Sequence, residues 1–85
     1  MLTYDLSDRN DASLYEFLYA SIRDDIDSGA LAADAKLPSK RQFARHLGLS
    51  VITVENAYAQ LIAEGYVRSQ ERRGFFVNPI AAPLS

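Results

Sequence analysis

Near the start of the chain, apolar residues recur at every fourth position: Leu14, Leu18, Ile22 and Ile26. This period places them on one face of a helix. Ser13 and Glu16 match the Ser-x-x-Glu capping box that begins many helices, and Gly29 is typical of the residue that follows a helix end. The pattern therefore predicts a first helix that begins after Ser13 and ends before Gly29.

A second, shorter helix is predicted after a connector. Ser39 and Gln42 form another capping box, and Gly48 ends the helical pattern. Because Pro38 disfavours helical geometry at the residue before it, Leu37 is expected to enter the core as part of a very short strand. The buried face of this helix is predicted at Phe43, Ala44 and Leu47.

A third helix is predicted from Ser50, which caps it, to Gly65, which ends it. Its core stripe is predicted at Val54, Ala57, Tyr58, Leu61 and Ile62. After Gly65 the period changes to that of strands, at residues 66–69 and 75–78. The polar residues 70–74 between them include a glycine, so the two strands are expected to form a hairpin.

The order of these elements indicates a fold class. Two short helices joined by a tight turn containing glycine are typical of a helix-turn-helix, and a following hairpin is what a winged helix adds. We therefore predict a mainly α fold with a small β-hairpin, a winged helix-turn-helix of three helices plus a wing, over residues 13–78. Residues 1–12 are expected to form an N-terminal arm with Tyr4 and Leu6 as anchors, and residues 79–85 a tail or the start of a linker.

Size and composition narrow the class of protein further. A chain of 85 residues forms one small domain. With no Cys and one His, neither disulfides nor a structural zinc site is expected. The sequence has no apolar run long enough to cross a bilayer, and its acidic start is unlike a signal peptide. We expect a cytoplasmic protein that does not associate with membranes.

Charge is distributed unevenly along the chain, although the net charge is only -2. Residues 1–35 carry two basic and eight acidic side chains, whereas residues 36–77 carry seven basic and three acidic ones. Because salt screens exposed charges beyond about 8–10 Å, a basic face can bind phosphate while an acidic helix faces away. An ordinary mixed surface explains the charges equally well. We interpret Asp24, Asp25 and Asp27 as a solvated face, since further oxygen ligands for calcium are not evident.

The predicted third helix has properties suited to a DNA duplex. An α-helix fits the major groove, where base edges differ in donors, acceptors and methyl groups. Ser50 and Thr53 put small polar side chains in its first turn, and the helix starts at Ser39 and Ser50 offer backbone amides to phosphate oxygens. Arg72 and Arg73 in the hairpin turn can reach a neighbouring phosphate or the minor groove. Thr53 can equally well make a local hydrogen bond.

The stretch LPSKRQFARHLGLSVITVENAYAQLIAEGYVRSQERRGFFV resembles the DNA-binding domain of GntR-type bacterial transcription regulators. The family pattern runs Leu-Pro-Ser-x-Arg, Leu-Ala-x-x-Leu-Gly-Val-Ser, Thr-Val-x-x-Ala-Tyr, Leu-x-x-Glu-Gly-Tyr and Gly-x-Phe-Val. With its upstream positions, the similarity covers roughly residues 14–77. It implies a double-stranded DNA operator as partner. The DNA-binding residues that we assign are Lys36, Ser39, Lys40, Arg41, Ser50, Val51, Thr53, Arg72, Arg73 and Gly74.

Three positions depart from the family pattern. Val51 stands where Arg is usual, Arg72 stands where the wing often has its first Gly, and Phe75 replaces a frequent Thr. Val cannot donate a hydrogen bond to guanine, but it can pack against a thymine methyl group. We hypothesise that Arg41 carries more of the polar base reading, while Val51 and Thr53 read shape and methyl groups. The basic wing turn would replace the charge missing at Val51.

The resemblance also implies features beyond these residues. The sequence is most similar to the MocR-like branch, in which a long linker leads to an aminotransferase-like domain that holds pyridoxal phosphate; no cofactor is expected in this chain itself. The effector-binding domain is expected to lie outside it, and a shorter regulator of another branch is an alternative. Homodimers on two half-sites are expected.

The sequence fits two other classes of function less well. A winged helix can mediate protein assembly without DNA, and the overall acidity and the apolar Val51 and Ile52 favour that alternative slightly. An enzyme is not expected, because the sequence shows no nucleophile–base pair, phosphate loop or metal cluster.

Overall fold

Three helices and three short strands follow one another in the computed structural model, which describes Tyr4 and residues 13–79. The helices are α1 (Leu14–Ser28), α2 (Lys40–Leu47) and α3 (Val51–Ala63); the strands are β1 (Lys36–Leu37), β2 (Val67–Gln70) and β3 (Gly74–Val77). This is the predicted winged helix-turn-helix. The rest of the predicted arm, with Leu6, and residues 80–85 of the predicted tail lie outside the described residues.

Each helix begins at the serine that the sequence predicted. In all three, the serine Oγ accepts a hydrogen bond from the backbone amide three residues further on: Glu16, Gln42 and Thr53, at 3.3, 3.1 and 3.1 Å. Such a cap contributes about 1 kcal/mol to helix stability, since it satisfies an amide that has no partner within the helix. Local sequence therefore fixes where α2 and α3 begin, and both starts belong to the candidate site.

The core lies between α1, α2 and α3, and the sheet covers it at one end. Its members are Leu18, Ile22, Ile26, Leu37, Phe43, Ala44, Val54, Ala57, Tyr58, Leu61, Val67 and Val77. The prediction for Ile62 is wrong, because 38% of it is exposed. Each residue advances the helix by about 100°, so Ile62 turns away from the neighbours that cover Leu61. None of the helices described is long and apolar enough to cross a membrane.

The strands form one antiparallel sheet in the order β1-β3-β2. The hairpin is shifted from the prediction by one residue at each strand, since β2 ends at Gln70 and β3 begins at Gly74. Gly74 pairs with Gln70 in the sheet, and the Arg73 amide donates to the Gln70 carbonyl at 3.0 Å, which leaves residues 71–73 for the turn. The short strand predicted at Leu37 is confirmed and covers one edge of β3.

Tyr4 packs against α1 and α2, which is the anchoring contact that the sequence predicted for this residue. Its hydroxyl donates to Asp25 Oδ2 at 2.7 Å, and its ring lies edge-on to Phe43 with centroids 6.4 Å apart. Burial, and then the bond to Asp25, raise the pKa of the Tyr4 hydroxyl. Asp25 is therefore partly buried and bonded, which corrects the interpretation of a wholly solvated acidic face.

Candidate nucleic-acid interface

Tyr58 joins the three elements that would face DNA. It lies on the buried side of α3, where its hydroxyl donates to the Pro38 carbonyl at 2.8 Å. Its ring meets Phe75 of β3 edge-on at 4.9 Å and lies 6.2 Å from Phe43 of α2. Burial raises the pKa of the hydroxyl, so it stays protonated and able to donate. The loop that begins α2 is thereby fixed against both α3 and the base of the wing.

Lys40 makes a second connection on the outside of the same junction. Its Nζ lies 2.9 Å from Glu55 Oε2 on α3 and 5.8 Å from the centre of the Phe75 ring. The side chain is about one-third exposed. Lys40, predicted from sequence as a DNA-binding residue, thus has an acidic partner on the helix that would enter the groove.

The first turn of α2 presents Ser39 and Arg41 to solvent. Both residues are exposed, and Arg41 lies one position beyond Lys40 at the helix start. The Ser39 Oγ already accepts a hydrogen bond from the Gln42 amide as the helix cap. The first amides of α2 have no carbonyl partner within the helix. An anion placed here would meet these amides and the Arg41 guanidinium.

The first turn of α3 combines a local hydrogen bond with an apolar edge. The hydroxyls of Ser50 and Thr53 are 2.8 Å apart, so the local bond that sequence reasoning allowed for Thr53 is present. Thr53 is half-buried, whereas Val51 is 40% exposed and Ile52 67% exposed. Methyl groups therefore dominate what this turn offers to a partner.

The turn of the wing carries the two adjacent arginines. Arg72 and Arg73 are exposed, and Arg72 adopts φ 65°, in the left-handed region that disfavours residues with a Cβ. Gly74 follows at φ 116°, and a Cβ there would lie 3.2 Å from Lys36 Cε. Gly74 thus makes room for the Lys36 side chain, which crosses from β1 over β3.

A third wing arginine is used inside the domain. Arg68 donates to Asp34 Oδ1 at 2.8 Å, to Asn78 Oδ1 at 3.1 Å and to the Val77 carbonyl at 3.2 Å. Its guanidinium also lies 5.5 Å from the Phe76 ring centre. These contacts tie the loop before β1 to the end of β3, so Arg68 supports the wing.

Sequence reasoning missed two polar residues on α3. Glu55 and Asn56 are exposed on the side opposite to Val54, Ala57 and Tyr58. The helical period could have found them, because positions one and two after a buried residue turn away from the core. They lie one turn beyond Val51 and Ile52, on the side of α3 that remains open.

The structure brings together the elements that carry the predicted residues. The start of α2, the first two turns of α3 and the base of the wing meet through the contacts of Tyr58 and Lys40. Arg72 and Arg73 occupy the exposed turn at the end of the hairpin.

Among residues 13–79 and Tyr4, the side chains do not form a group that could hold a metal ion. The chain has two lysines: Lys40 pairs with Glu55, and Lys36 lies across Gly74 on the surface.

Comparison with known proteins gives a consistent result. Residues 14–77 match the bacterial regulatory proteins of the gntR family. The chain is 44% identical over 68 residues to an uncharacterized HTH-type transcriptional regulator, YdeL of Bacillus subtilis, covering 80% of this chain and 15% of that protein. It is 40% identical over 67 residues to the probable rhizopine catabolism regulatory protein MocR of Rhizobium meliloti, covering 79% of this chain and 14% of that protein. The chain thus spans about a seventh of the length of these relatives.

Solved structures share the fold. YtrA from Sulfolobus acidocaldarius, a GntR-family transcription factor, superposes with a TM-score of 0.78 at 34% identity, covering 84% of this chain and 74% of that one. AraR(DBD), crystallised in complex with operator ORE1, superposes with a TM-score of 0.72 at 26% identity, covering 78% of this chain and 80% of that one.

Proposed function

The chain belongs to the GntR family of bacterial regulatory proteins, and from this premise we propose that it binds double-stranded DNA sequence-specifically, as the DNA-binding domain of a transcription regulator. Helix α3 enters the major groove from Ser50 onward. The start of α2 and the wing turn bind the sugar-phosphate backbone on either side, and the wing turn can also enter the minor groove. The role that we propose for these residues is binding, without catalysis.

One observation carries this proposal: Lys40 contacts α3 through Glu55 and β3 through Phe75, so three elements form one surface. The helix α2 and the wing also carry the exposed cations Arg41, Arg72 and Arg73, although the whole chain is acidic. Elements that are already joined before binding lose little conformational freedom on docking. The operator in the AraR(DBD) crystal structure supports the same use of the shared fold.

Base reading is divided between a guanidinium and methyl groups. We propose that Arg41 donates to a base edge, with guanine O6 and N7 as the preferred acceptors, and that the exposed Val51 packs on a thymine methyl group. Thr53 offers its methyl group, because its hydroxyl is bonded to Ser50. Ser39, Ser50, Lys36 and Gly74 are proposed to contact phosphates.

The test is the Arg41→Ala variant on an operator selected from a random DNA library. Loss of a bidentate contact should weaken operator binding by about 5- to 150-fold, from roughly 1–3 kcal/mol, with a smaller effect on scrambled DNA. Fluorescence anisotropy measures both affinities. Arg45→Ala is the matched control, since Arg45 is exposed on the last turn of the same helix. Full operator preference in Arg41→Ala would contradict the assignment.

A protein-interaction module is the second candidate function, favoured by the exposed Val51 and Ile52. Salt dependence separates the two. DNA binding should weaken by about one log unit of affinity per log unit of salt for each phosphate contact, whereas an apolar protein interface is far less sensitive.

For the regulator as a whole, we propose a cytoplasmic homodimer that places two copies of this domain on half-sites about one helical turn apart. The half-buried aromatic residues Tyr15, Phe17 and Tyr19 of α1 are the proposed contact between copies. Sedimentation that shows only monomers at high concentration would contradict contact through this domain. Pyridoxal phosphate, if the regulator is of the MocR-like type, would belong to a different domain.

A further inference from the structure

The side of α3 that remains open contains one charged residue, and it is an acid. Within Val51–Ala63 the sequence has no Lys, Arg or His, and Glu55 is its single ionisable acid. Its side chain is 54% exposed and lies one turn beyond Val51. A carboxylate carried into the major groove lies between two rows of phosphates, which repel it. Its presence on this side of α3 calls for a hydrogen-bond donor on the partner that compensates the negative charge.

Stability gives little reason for an acid at this position. The pair with Lys40 is exposed, and exposed ion pairs contribute little to folding. The helix dipole favours acids only in the first turn, whereas Glu55 is the fifth residue of α3. The fold would tolerate many other residues here.

The geometry suits a hydrogen-bond acceptor aimed at bases. Lys40 Nζ holds Glu55 Oε2 at 2.9 Å, which compensates the charge and restrains the carboxylate, while Oε1 can accept another bond. In the major groove, cytosine presents the N4 amino group, a donor that carboxylates recognise. Adenine presents its N6 amino group beside the acceptor N7, whereas guanine O6 and N7 and thymine O4 are acceptors that repel a carboxylate. The same face can therefore select one base pair and exclude others.

We propose that Glu55 is a specificity-determining residue that accepts a hydrogen bond from the amino group of a cytosine in the major groove, with Lys40 as its positioning residue. This rests on the proposed DNA binding by α3. Lys40 then acts mainly through Glu55, and its contact with phosphate is secondary. The operator half-site should accordingly contain a cytosine whose identity depends on this carboxylate and on no other residue of α3.

The experiment selects binding sites from a random duplex library with the wild-type protein, Glu55→Gln and Glu55→Ala, and compares base preference position by position. The wild type should prefer cytosine at one position by about tenfold. Glu55→Ala should lose that preference there alone. Glu55→Gln should change it to adenine, because a glutamine amide bonds to adenine N6 and N7. Lys40→Gln should weaken the cytosine preference without changing the base.

Glu16→Gln is the matched control, since it removes one exposed acid from α1, outside the proposed DNA-facing elements, and should leave every base preference unchanged. Glu55→Gln should also raise affinity for random DNA, so a rise alone reports charge and not base reading. If Glu55→Gln and Glu55→Ala select the wild-type sequence at every position, Glu55 serves only to hold Lys40 and the proposal is overturned. A wild-type protein that binds no DNA would overturn the proposed function as well, which distinguishes the two failures.

Discussion

One side of α3 is covered by α1, α2 and the sheet, whereas the other side, around Ile52, Glu55 and Asn56, is open to solvent. The covered side carries Val54 and Tyr58, whose size and shape are fixed by packing. The open side carries residues that the fold does not need for its stability. The same helix therefore has one side that determines the structure and one side that is free to determine a partner, and substitutions should separate the two.

The largest effect is expected from Tyr58→Ala, which should reduce both folding stability and DNA binding. Loss of the buried ring should lower the free energy of unfolding by about 3–5 kcal/mol, a large share of a small domain's stability. DNA binding should fall with it, because Tyr58 also fixes Pro38 and Phe75. Urea unfolding followed by circular dichroism measures the first effect, and anisotropy the second.

Tyr58→Phe is the control for that change. It keeps the ring and removes only the bond to the Pro38 carbonyl, so the loss of stability should be about 1 kcal/mol. If Tyr58→Ala unfolded no more easily than Tyr58→Phe, the ring contacts with Phe43 and Phe75 would not contribute to the free energy of unfolding.

An intermediate effect is expected at Arg72, where one substitution should raise folding stability and weaken DNA binding. Its left-handed backbone costs about 1 kcal/mol, which Arg72→Gly should largely recover. DNA binding should weaken, and the slope of log affinity against log salt should fall by about one, because one phosphate contact is lost. Thermal unfolding measures the change in stability, and a salt titration of DNA binding measures the change in slope.

Arg72→Asn and Arg72→Lys separate the causes. Asn accepts the left-handed backbone without a charge and should behave like Gly, whereas Lys keeps the charge and the strain and should behave like the wild type. Unchanged binding by Arg72→Gly would remove Arg72 from the interface.

The smallest effect is expected from Tyr19→Phe, a change on α1 beside Glu64 at the end of α3. The Tyr19 hydroxyl donates to the Glu64 carboxylate, and this bond, followed by one from Gln60, holds the pKa of Glu64 below its usual value. Because the folded pKa is lower than the unfolded one, the stabilisation is present above the unfolded pKa of about 4.3 and is lost as pH falls through the folded value. Tyr19→Phe should reduce that acid sensitivity slightly.

Carbon-13 NMR titration of Glu64 in the two proteins measures the change directly. Operator affinity at neutral pH should not change, since Glu64 lies roughly 20 Å along the helix axis from Ser50. A pKa of Glu64 that stays depressed in Tyr19→Phe would assign the shift to other neighbours.

Local signals made most of the fold predictable. The three serine caps and the glycines after α1 and α2 gave the helix ends, because capping depends on residues close in sequence. The bounds of the two wing strands were predicted one residue off, since the choice between Gly74 and Phe75 as the first residue of β3 depends on pairing with β2. The prediction that Ile62 is buried was wrong, because apolar character alone does not show which side of a helix end is covered by neighbours.

The candidate site was predicted less completely. Motif residues such as Arg41 and Thr53 were found through the family resemblance, whereas Glu55 departs from what a DNA-binding helix is expected to carry. Its relation to Lys40 joins residues 15 positions apart on different helices. Pairings of that kind arise from the packing of α2 on α3, which neither composition nor spacing reports.

The place of β3 between β1 and β2 has a mechanical consequence for the wing. Phe75 and Phe76 pair with β2 on one side and with β1 on the other, so the middle of β3 cannot shift without breaking pairs in both ladders. Leu37 of β1 is followed by Pro38 and the start of α2, so the same pairs link the base of the wing to α2. Contacts that the wing and α2 make with one duplex would therefore come from a single hydrogen-bonded framework.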